Sequence, residues 1–275
     1  MVQAPGKKPV LLNASPDVRA QLAQWSAAQE SHKVRQSPIA AVVLTNADLD
    51  HCLGLLVLRE GGAPALYGTE AVLEAVEQGL GVITALSAYG PTIVHTLVCG
   101  ETRAVQDREG VDSGITIEPF AVASKVPPYA ARRGLGKDRG ERGGDTVGLL
   151  VSCEGGGTLA YVPGVRDLDD ELAAQLHRAD AILLDGTFWT HDELTAQKIT
   201  TRDAYQMGHA PLQPDAHGSG SLEFFRRFSG SARRGYVHIN NSNPIVRADS
   251  PERAQVERAG IEVVQDGTEW WVERR

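Results

Sequence analysis

Thr45-Asn46-Ala47-Asp48-Leu49-Asp50-His51 lies between two apolar runs, Ile39-Ala-Ala-Val-Val-Leu44 and Cys52-Leu-Gly-Leu-Leu-Val-Leu-Arg59. The first run has the length and β-branched content of a buried strand, and the second reads as a helix packed on it. Two carboxylates and an imidazole therefore fall at the carboxyl end of a core strand, where α/β layers bind ligands and metals. Ionised acids are costly to bury unless they are paired or bound to a metal. A helix cap accounts for Asn46 or Asp48. It does not account for Asp50 and His51 together, so the stretch points to a metal-type site.

Further along the chain the same arrangement recurs. Ala181-Ile-Leu-Leu184 reads as a buried strand ending in Asp185-Gly-Thr. The strand from Gly235 carries His238 and then Asn240, Asn241, Asn243 and Pro244, whose amides are expected to hold neighbouring backbone. His209 sits in a loop between these two strands. Three core strands thus end in candidate ligands: Asp50-His51, Asp185 and His238. His95 on a strand reads as a packed or surface histidine, and His191 as exposed.

The remaining elements follow from local patterns. Val10-Leu-Leu-Asn13 is a short strand, and Pro16 and Asp17 suit the first turn of a helix over 18–29. A short strand at 65–67, a helix at about 70–78 and strands at 93–98, 115–118, 147–152 and 158–162 follow. The last two are read as a hairpin around Glu154-Gly-Gly-Gly157. Helices are expected over 167–177, about 219–228 and 251–259. Asp266-Gly267 between two strand-like runs predicts a terminal hairpin over 261–272. Residues 131–145, rich in Gly and Arg, read as a mobile loop, either a solvated insertion or a basic lid over an acidic substrate.

Composition narrows the function classes. A chain of 275 residues with 42% hydrophobic residues can bury a large core. A net charge of −8 and a pI near 5.5 argue against nucleic acid or an anionic membrane as partner. The sequence has no apolar run of 18 residues, and no secretion signal is read in its first residues. Cys52, Cys99 and Cys153 are scattered without a CxxC pair, so a reducing cytoplasm is the expected location.

Strands and helices in this order predict an α/β fold, an αββα sandwich of two mixed β-sheets flanked by helices, as one domain over 1–275. The strand–Thr-Asn-Ala-Asp-Leu-Asp-His sequence resembles the Thr-His-x-His-x-Asp-His metal motif of the metallo-β-lactamase fold. Asn46 and Asp48 stand where its first two histidines would be. The stretches Leu12-Asn-Ala-Ser-Pro-Asp17, Tyr161-Val-Pro-Gly164, Leu184-Asp-Gly-Thr-Phe-Trp189, Met207-Gly-His209 and Val237-His-Ile-Asn-Asn-Ser-Asn-Pro244 are similar to the coenzyme PQQ synthesis protein B branch of that fold. That family usually opens with a further strand, a glycine-rich loop and a cysteine cluster able to hold structural zinc, which this chain does not show.

The resemblance implies a role in pyrroloquinoline quinone (PQQ) biosynthesis with two competing forms. One is an iron-dependent hydroxylase acting on the tyrosine ring of a glutamate–tyrosine precursor. The other is a carrier that moves PQQ or its precursor toward the periplasm. A zinc-dependent hydrolase is the third reading, weakened by the loss of both motif histidines and by Gly164, which stands where related hydrolases carry a metal-bridging aspartate. Two histidines and one carboxylate with open positions is the arrangement of non-haem Fe(II) oxygenases. Asp50, His51 and His238 are assigned to the metal, with Asp48 a fourth ligand or an acceptor orienting His51. Fe(II) is the expected cofactor and zinc the alternative. Asp185 is a ligand or a base near the metal. His209 resembles the loop histidine that donates a proton in related phosphodiesterases, or is a capping or surface histidine. Lys125, Tyr129 and Asn240 are assigned to a dipeptide or small-molecule substrate, and other proteins of PQQ biosynthesis are the expected partners.

Overall fold

The computed structural model describes residues 1–25, 37–60, 62–228 and 232–274. They build an α/β fold with two β-sheets flanked by helices. The residues fall into two compact units. The first holds Met1–Ala121, Val126–Val147 and Val151–Glu154, and the second Val122–Lys125, Gly148–Leu150 and Gly155–Arg275.

In the first unit, β1 (Val10–Leu12), β2 (Ala41–Val43), β3 (Ala65–Thr69) and β4 (Val94–Leu97) pair in that order, all parallel. Parallel strands covered on both faces need apolar residues throughout, and every residue of β1, β2 and β3 is buried. Val2 meets the outer edge of β1 through two backbone hydrogen bonds with Val10. β5 (Arg103–Gln106) and β6 (Asp112–Ala121) form an antiparallel pair with an irregular register.

The helix expected over 18–29 is described as Val18–Gln24, and residues 26–29 lie outside the described residues. The expected 52–59 helix is a short α-helix, Leu49–Cys52, continued as a 3₁₀-helix over Leu53–Arg59. The tighter winding goes with Gly54. A Cβ there would stand 2.2 Å from the Ser15 carbonyl oxygen and 2.7 Å from that of Ala14. The helix Glu70–Glu74, capped by the Thr69 hydroxyl on Val72 N–H, widens to a π-turn over Ala75–Gly79. Gly79 leaves room there for the ring of Tyr129.

The arginine-rich segment is tied down. Arg139 pairs with both Glu74 and Asp145, Arg142 donates to the Ala121 carbonyl, and Arg133 donates to the Gln78 carbonyl. Three of its five basic side chains are thus engaged within their own unit.

β7 (Val147–Cys153) is divided between the units. In the second unit β8 (Thr158–Val162), β9 (Ala181–Asp185), β10 (Arg233–Val237) and β11 (Glu262–Val263) run parallel in that order. The helices Asp170–Leu176, Gly220–Arg226 and Pro251–Arg258 cover them. Asp169 and Ser250 cap the first and third by accepting from Leu172 N–H and Arg253 N–H.

The terminal hairpin does not form. The turn at 265–268 is present, closed by Thr268 N–H on the Gln265 carbonyl, but the chain beyond it makes no ladder with β11. Instead the Trp270 ring packs over Gly235 and under the Arg233 guanidinium, and its Nε1–H donates to Glu262. Burying that large ring on β10 outweighs the local turn preference. β11 pairs parallel to β10 instead.

Candidate metal centre

At the end of β2 the backbone turns through the motif under three restraints. Asn46 Oδ1 accepts Asp48 N–H at 3.0 Å, an Asx turn that starts the reversal. Asp48 occupies the N-cap position of Leu49–Cys52 without a side-chain capping bond, so a cap does not explain that residue. The Ala47 carbonyl accepts from the Tyr129 hydroxyl at 2.5 Å and from the Cys52 thiol at 3.6 Å. Burial, followed by the charges of Asp48 and Asp50, pushes the Cys52 thiol up to about 12. Tyr129 is raised as well, first by burial and then by Cys52 and Asp48. Tyr129 is thus seen bracing the motif loop through the proton of its hydroxyl.

His51 is buried, and Asp50 beside it is exposed. Their nearest polar atoms, His51 Nε2 and Asp50 Oδ2, are 3.8 Å apart. Asn13, in the left-handed region at φ 65°, orders this half of the motif. Its Oδ1 accepts Thr45 N–H at 2.8 Å and its Nδ2 faces His51 Nδ1 at 3.2 Å. Ala14 N–H donates to the His51 carbonyl at 2.7 Å, fixing the turn against the helix.

In the second unit the loops after β9 and β10 interlock. Gly186 N–H donates to the Val237 carbonyl, and Asn240 N–H donates to the Thr187 carbonyl. Asn243, wholly buried, donates from Nδ2 to the Gly186 carbonyl at 2.8 Å and accepts Ile245 N–H. Asn243 thus bears out the expectation that an amide here holds neighbouring backbone. Gly186 is required by packing, since a Cβ would lie 2.9 Å from that of Tyr236. Asn240 Nδ2 donates to Ser242, and its Oδ1 accepts Asn241 N–H. Lys125 packs against Gly208, one residue before His209.

Asp185 is 1% exposed and fully engaged. Oδ1 accepts Thr187 N–H at 3.0 Å and the Thr187 hydroxyl at 2.5 Å. Oδ2 accepts Val165 N–H at 3.1 Å and lies 2.6 Å from His209 Nδ1. Burial alone would raise its pKa. The charge and hydrogen bond of His209, and then those of His238, outweigh it and hold the carboxyl well below the usual carboxylate range. Where related hydrolases carry their bridging aspartate, the loop with Gly164 turns the amide of Val165 to Asp185 instead.

His238 Nδ1 lies 2.8 Å from Thr187 Oγ1, and the rings of His209 and His238 stack at 5.3 Å with 20° between planes. His238 itself is held at φ 55°, a conformation that costs a non-glycine residue about 1–2 kcal/mol. Asp185, His209 and His238 bring one ligand atom each to within 4.8 Å of the others. Imidazoles with a carboxylate suit zinc, iron and other transition metals, so this donor set fits a metal ion. His95 stacks on Tyr67, and His177 packs tilted at 47° against Phe228. Thr187 and Asn13, which hold these imidazoles, were absent from the sequence reading of the site. The only signal for them was their place at the end of an apolar run.

A beta-lactamase superfamily domain matches residues 8–239. Coenzyme PQQ synthesis protein B from Cupriavidus necator is 40% identical over 267 residues, covering 96% of this chain and 83% of the relative. The protein of the same name from Methylococcus capsulatus is 36% identical over 271 residues, covering 98% and 85%. Among solved structures, Zn(2+)-bound PqqB from Methylobacterium extorquens matches with a TM-score of 0.78 and 34% identity, covering 96% of this chain and 84% of that one. The metallo-beta-lactamase fold protein YhfI from Bacillus subtilis matches at 0.62 with 12% identity over 97% and 89%, a likeness of fold alone.

Proposed function

This chain belongs to the coenzyme PQQ synthesis protein B family, and from that premise we propose that it serves PQQ biosynthesis as an Fe(II)-dependent hydroxylase of the tyrosine ring in a glutamate–tyrosine precursor. The observation that carries the reading is His238, an assigned ligand, stacked on His209, whose Nδ1 lies on the buried Asp185, so that a ligand imidazole and a proton-carrying imidazole stand side by side. Two imidazoles with a carboxylate, as in the assigned set, is what non-haem iron proteins use. Asp50, His51 and His238 are the assigned ligands. Asp48 is a fourth ligand or an acceptor for His51. Bound Fe(II) supplies electron transfer to O₂, which zinc does not.

The chain's own residues bind and position. His209, with Nδ1 held by Asp185, takes up or gives a proton at Nε2. Lys125 receives a substrate carboxylate through a charge-assisted hydrogen bond. Tyr129 and Asn240 are assigned to the substrate as well, Tyr129 through its ring and its hydroxyl lone pair. In the overall reaction one oxygen atom of O₂ enters the ring and the other leaves as water, with two electrons from an external reductant. Among the described residues no helix is long and apolar enough to cross a membrane.

The zinc in the relative's crystal structure favours a second reading, a hydrolase that uses a metal-bound hydroxide. The test begins with protein stripped of metal and loaded anaerobically with Fe(II). It is then given a glutamate–tyrosine peptide and ascorbate in an oxygen electrode. Substrate-dependent O₂ uptake with one oxygen added to the ring, absent with zinc, is the expected result. Anaerobic turnover of a phosphodiester or β-lactam with zinc would establish the hydrolase instead. Tight PQQ binding without O₂ uptake would establish the carrier.

A further inference from the structure

In the second unit the carboxyl ends of the parallel strands β10 and β11 border a cavity of about 350 Å³. Strand ends of this kind are where α/β sheets take ligands. The volume is at the small end of ligand pockets, so it suits a group the size of one amino acid and not a nucleotide. Ile239, Val246, Val263 and Val264 give it apolar walls, and Arg253 and Asp266 give it one charge of each sign. His238, assigned to the metal, is also part of its lining.

The fold leaves both charges available. Arg253 lies in the first turn of the helix Pro251–Arg258, and its side chain is 11% exposed. Its Nε donates to Glu257 Oε1 at 2.7 Å and its Nη1 to the Ile245 carbonyl at 3.3 Å. These two bonds fix the plane of the guanidinium, while Nη2 has no hydrogen-bond partner among the described residues. A guanidinium held in this way loses little freedom on binding a carboxylate. Asp266 sits in the turn after β11, yet that turn closes without its side chain. Thr268 N–H donates to the Gln265 carbonyl, and Gln265 N–H donates to the Thr268 hydroxyl. Among the described residues the Asp266 carboxylate makes no hydrogen bond or ion pair, with Arg253 or with any other group.

Opposite charges that line one small cavity without pairing select a ligand that carries both. A simple anion meets Asp266, and a simple cation meets Arg253. The apolar walls disfavour a ligand that is polar throughout. A zwitterion with an apolar body satisfies all three surfaces.

We propose that this cavity binds the α-amino acid end of a substrate with an apolar or aromatic side chain, Arg253 holding the carboxylate and Asp266 the ammonium. The two residues select and orient, and take no part in bond making. The proposal rests on the hydroxylase reading only for the source of the occupant, the tyrosine-containing precursor, which is then held beside a metal ligand. Glutamate gives that precursor a further carboxylate, so Lys125 keeps its assigned role.

The test uses the full chain loaded with Zn(II), which does not activate O₂. L-Tyrosine, tyramine and 3-(4-hydroxyphenyl)propionate share a ring, but the second lacks the carboxylate and the third the ammonium. Binding is followed through the backbone ¹⁵N signals of Val264 and Gly267. L-Tyrosine is expected to move them, and each of the other two to bind about 10–100-fold more weakly, the loss of one charge-assisted hydrogen bond. Asp266→Asn keeps the turn chemistry. It is expected to weaken L-tyrosine by about 10-fold or more and to leave 3-(4-hydroxyphenyl)propionate within about two-fold. Arg253→Lys, which loses the fork, is expected to weaken both acids and spare tyramine. Equal binding of the three probes, no L-tyrosine bound at these residues, or an Asp266→Asn variant that weakens both acids alike would overturn the proposal. If the Arg253 variant does not fold, Asp266→Asn decides, because its carboxylate holds no contact in the fold. Binding as expected without Fe(II)-dependent O₂ uptake would end the hydroxylase reading and leave the pocket. O₂ uptake without L-tyrosine binding here would do the reverse.

Discussion

The end of β2 and the end of β9 carry the same kinds of group and hold them by opposite means. After β9, His209 Nδ1 faces a buried carboxylate oxygen and His238 Nδ1 faces a hydroxyl whose proton is already given away. After β2, His51 Nδ1 faces the amide nitrogen of Asn13. That amide cannot be read the other way round, because its oxygen accepts Thr45 N–H at 2.8 Å. His51 Nδ1 is therefore an acceptor, and the neutral ring keeps its proton on Nε2. Ligation through Nε2 requires the proton to move and the Asn13 amide to turn, at the loss of a backbone hydrogen bond worth about 1 kcal/mol. The contrast teaches that a histidine next to an aspartate is not in itself a prepared ligand. What faces the far nitrogen of the ring decides it.

The largest effect is expected where the preparation is deepest. Asp185→Asn places an amide among Val165 N–H, Thr187 N–H and His209 Nδ1–H, so at least one buried donor loses its acceptor. Removing one partner from a buried charged network costs about 3–5 kcal/mol. Urea unfolding of metal-free protein is expected to show about that loss, with Zn(II) affinity down by about 100-fold. Stability within about 1 kcal/mol of wild type would break the comparison, because Asp185 would then not be the anchor of its half.

A smaller effect tests the two clusters separately. Gly54→Ala puts a methyl against the carbonyl oxygens of Ala14 and Ser15, which are backbone and cannot rotate away. The turn that carries Asn13 must shift, at about 1–3 kcal/mol. Unfolding is expected to show that cost, while the His209 and His238 ¹⁵N signals stay at their wild-type positions. Movement of those signals would mean that the second unit's imidazoles depend on the Asn13 turn.

Much of this was legible before any coordinates. The cores of β2 and β9 follow from apolar runs, and the polar residues after them mark the strand ends assigned to function. The reading of Asn243 as a backbone anchor held because an asparagine before proline suits a capping turn. Other features depended on contacts distant in sequence. Thr187 is 51 residues from His238, and its role needs His238 at a positive φ. Nothing in Asp185-Gly-Thr187 announces that. Arginines 133, 139 and 142 looked like free charge because their partners, Gln78, Glu74, Asp145 and Ala121, are mostly remote. The Asp266-Gly267 turn formed as its chemistry predicts, yet the hairpin did not, because turn chemistry carries no information about where Trp270 packs.

The smallest effect is the one that addresses the His51 half directly. Asn13→Asp keeps an oxygen for Thr45 N–H and for the Thr45 hydroxyl, which already lies 3.2 Å from Oδ1. Aspartate tolerates the left-handed backbone at φ 65° much as asparagine does. The second oxygen replaces the amide nitrogen that faces His51 Nδ1, so it accepts a proton there instead of giving one. The ring is then expected to carry its proton on Nδ1 instead of Nε2. Because a single charge-assisted hydrogen bond is exchanged at one ligand, Zn(II) affinity is expected to rise by only about 3–10-fold. The gain should vanish when His51 is also replaced by alanine, which separates it from a general effect of added negative charge. An unchanged or lower affinity in Asn13→Asp would mean either that His51 does not ligate through Nε2 or that Asn13 is no brake on it. In both cases the cluster after β2 would need a different account from the cluster after β9.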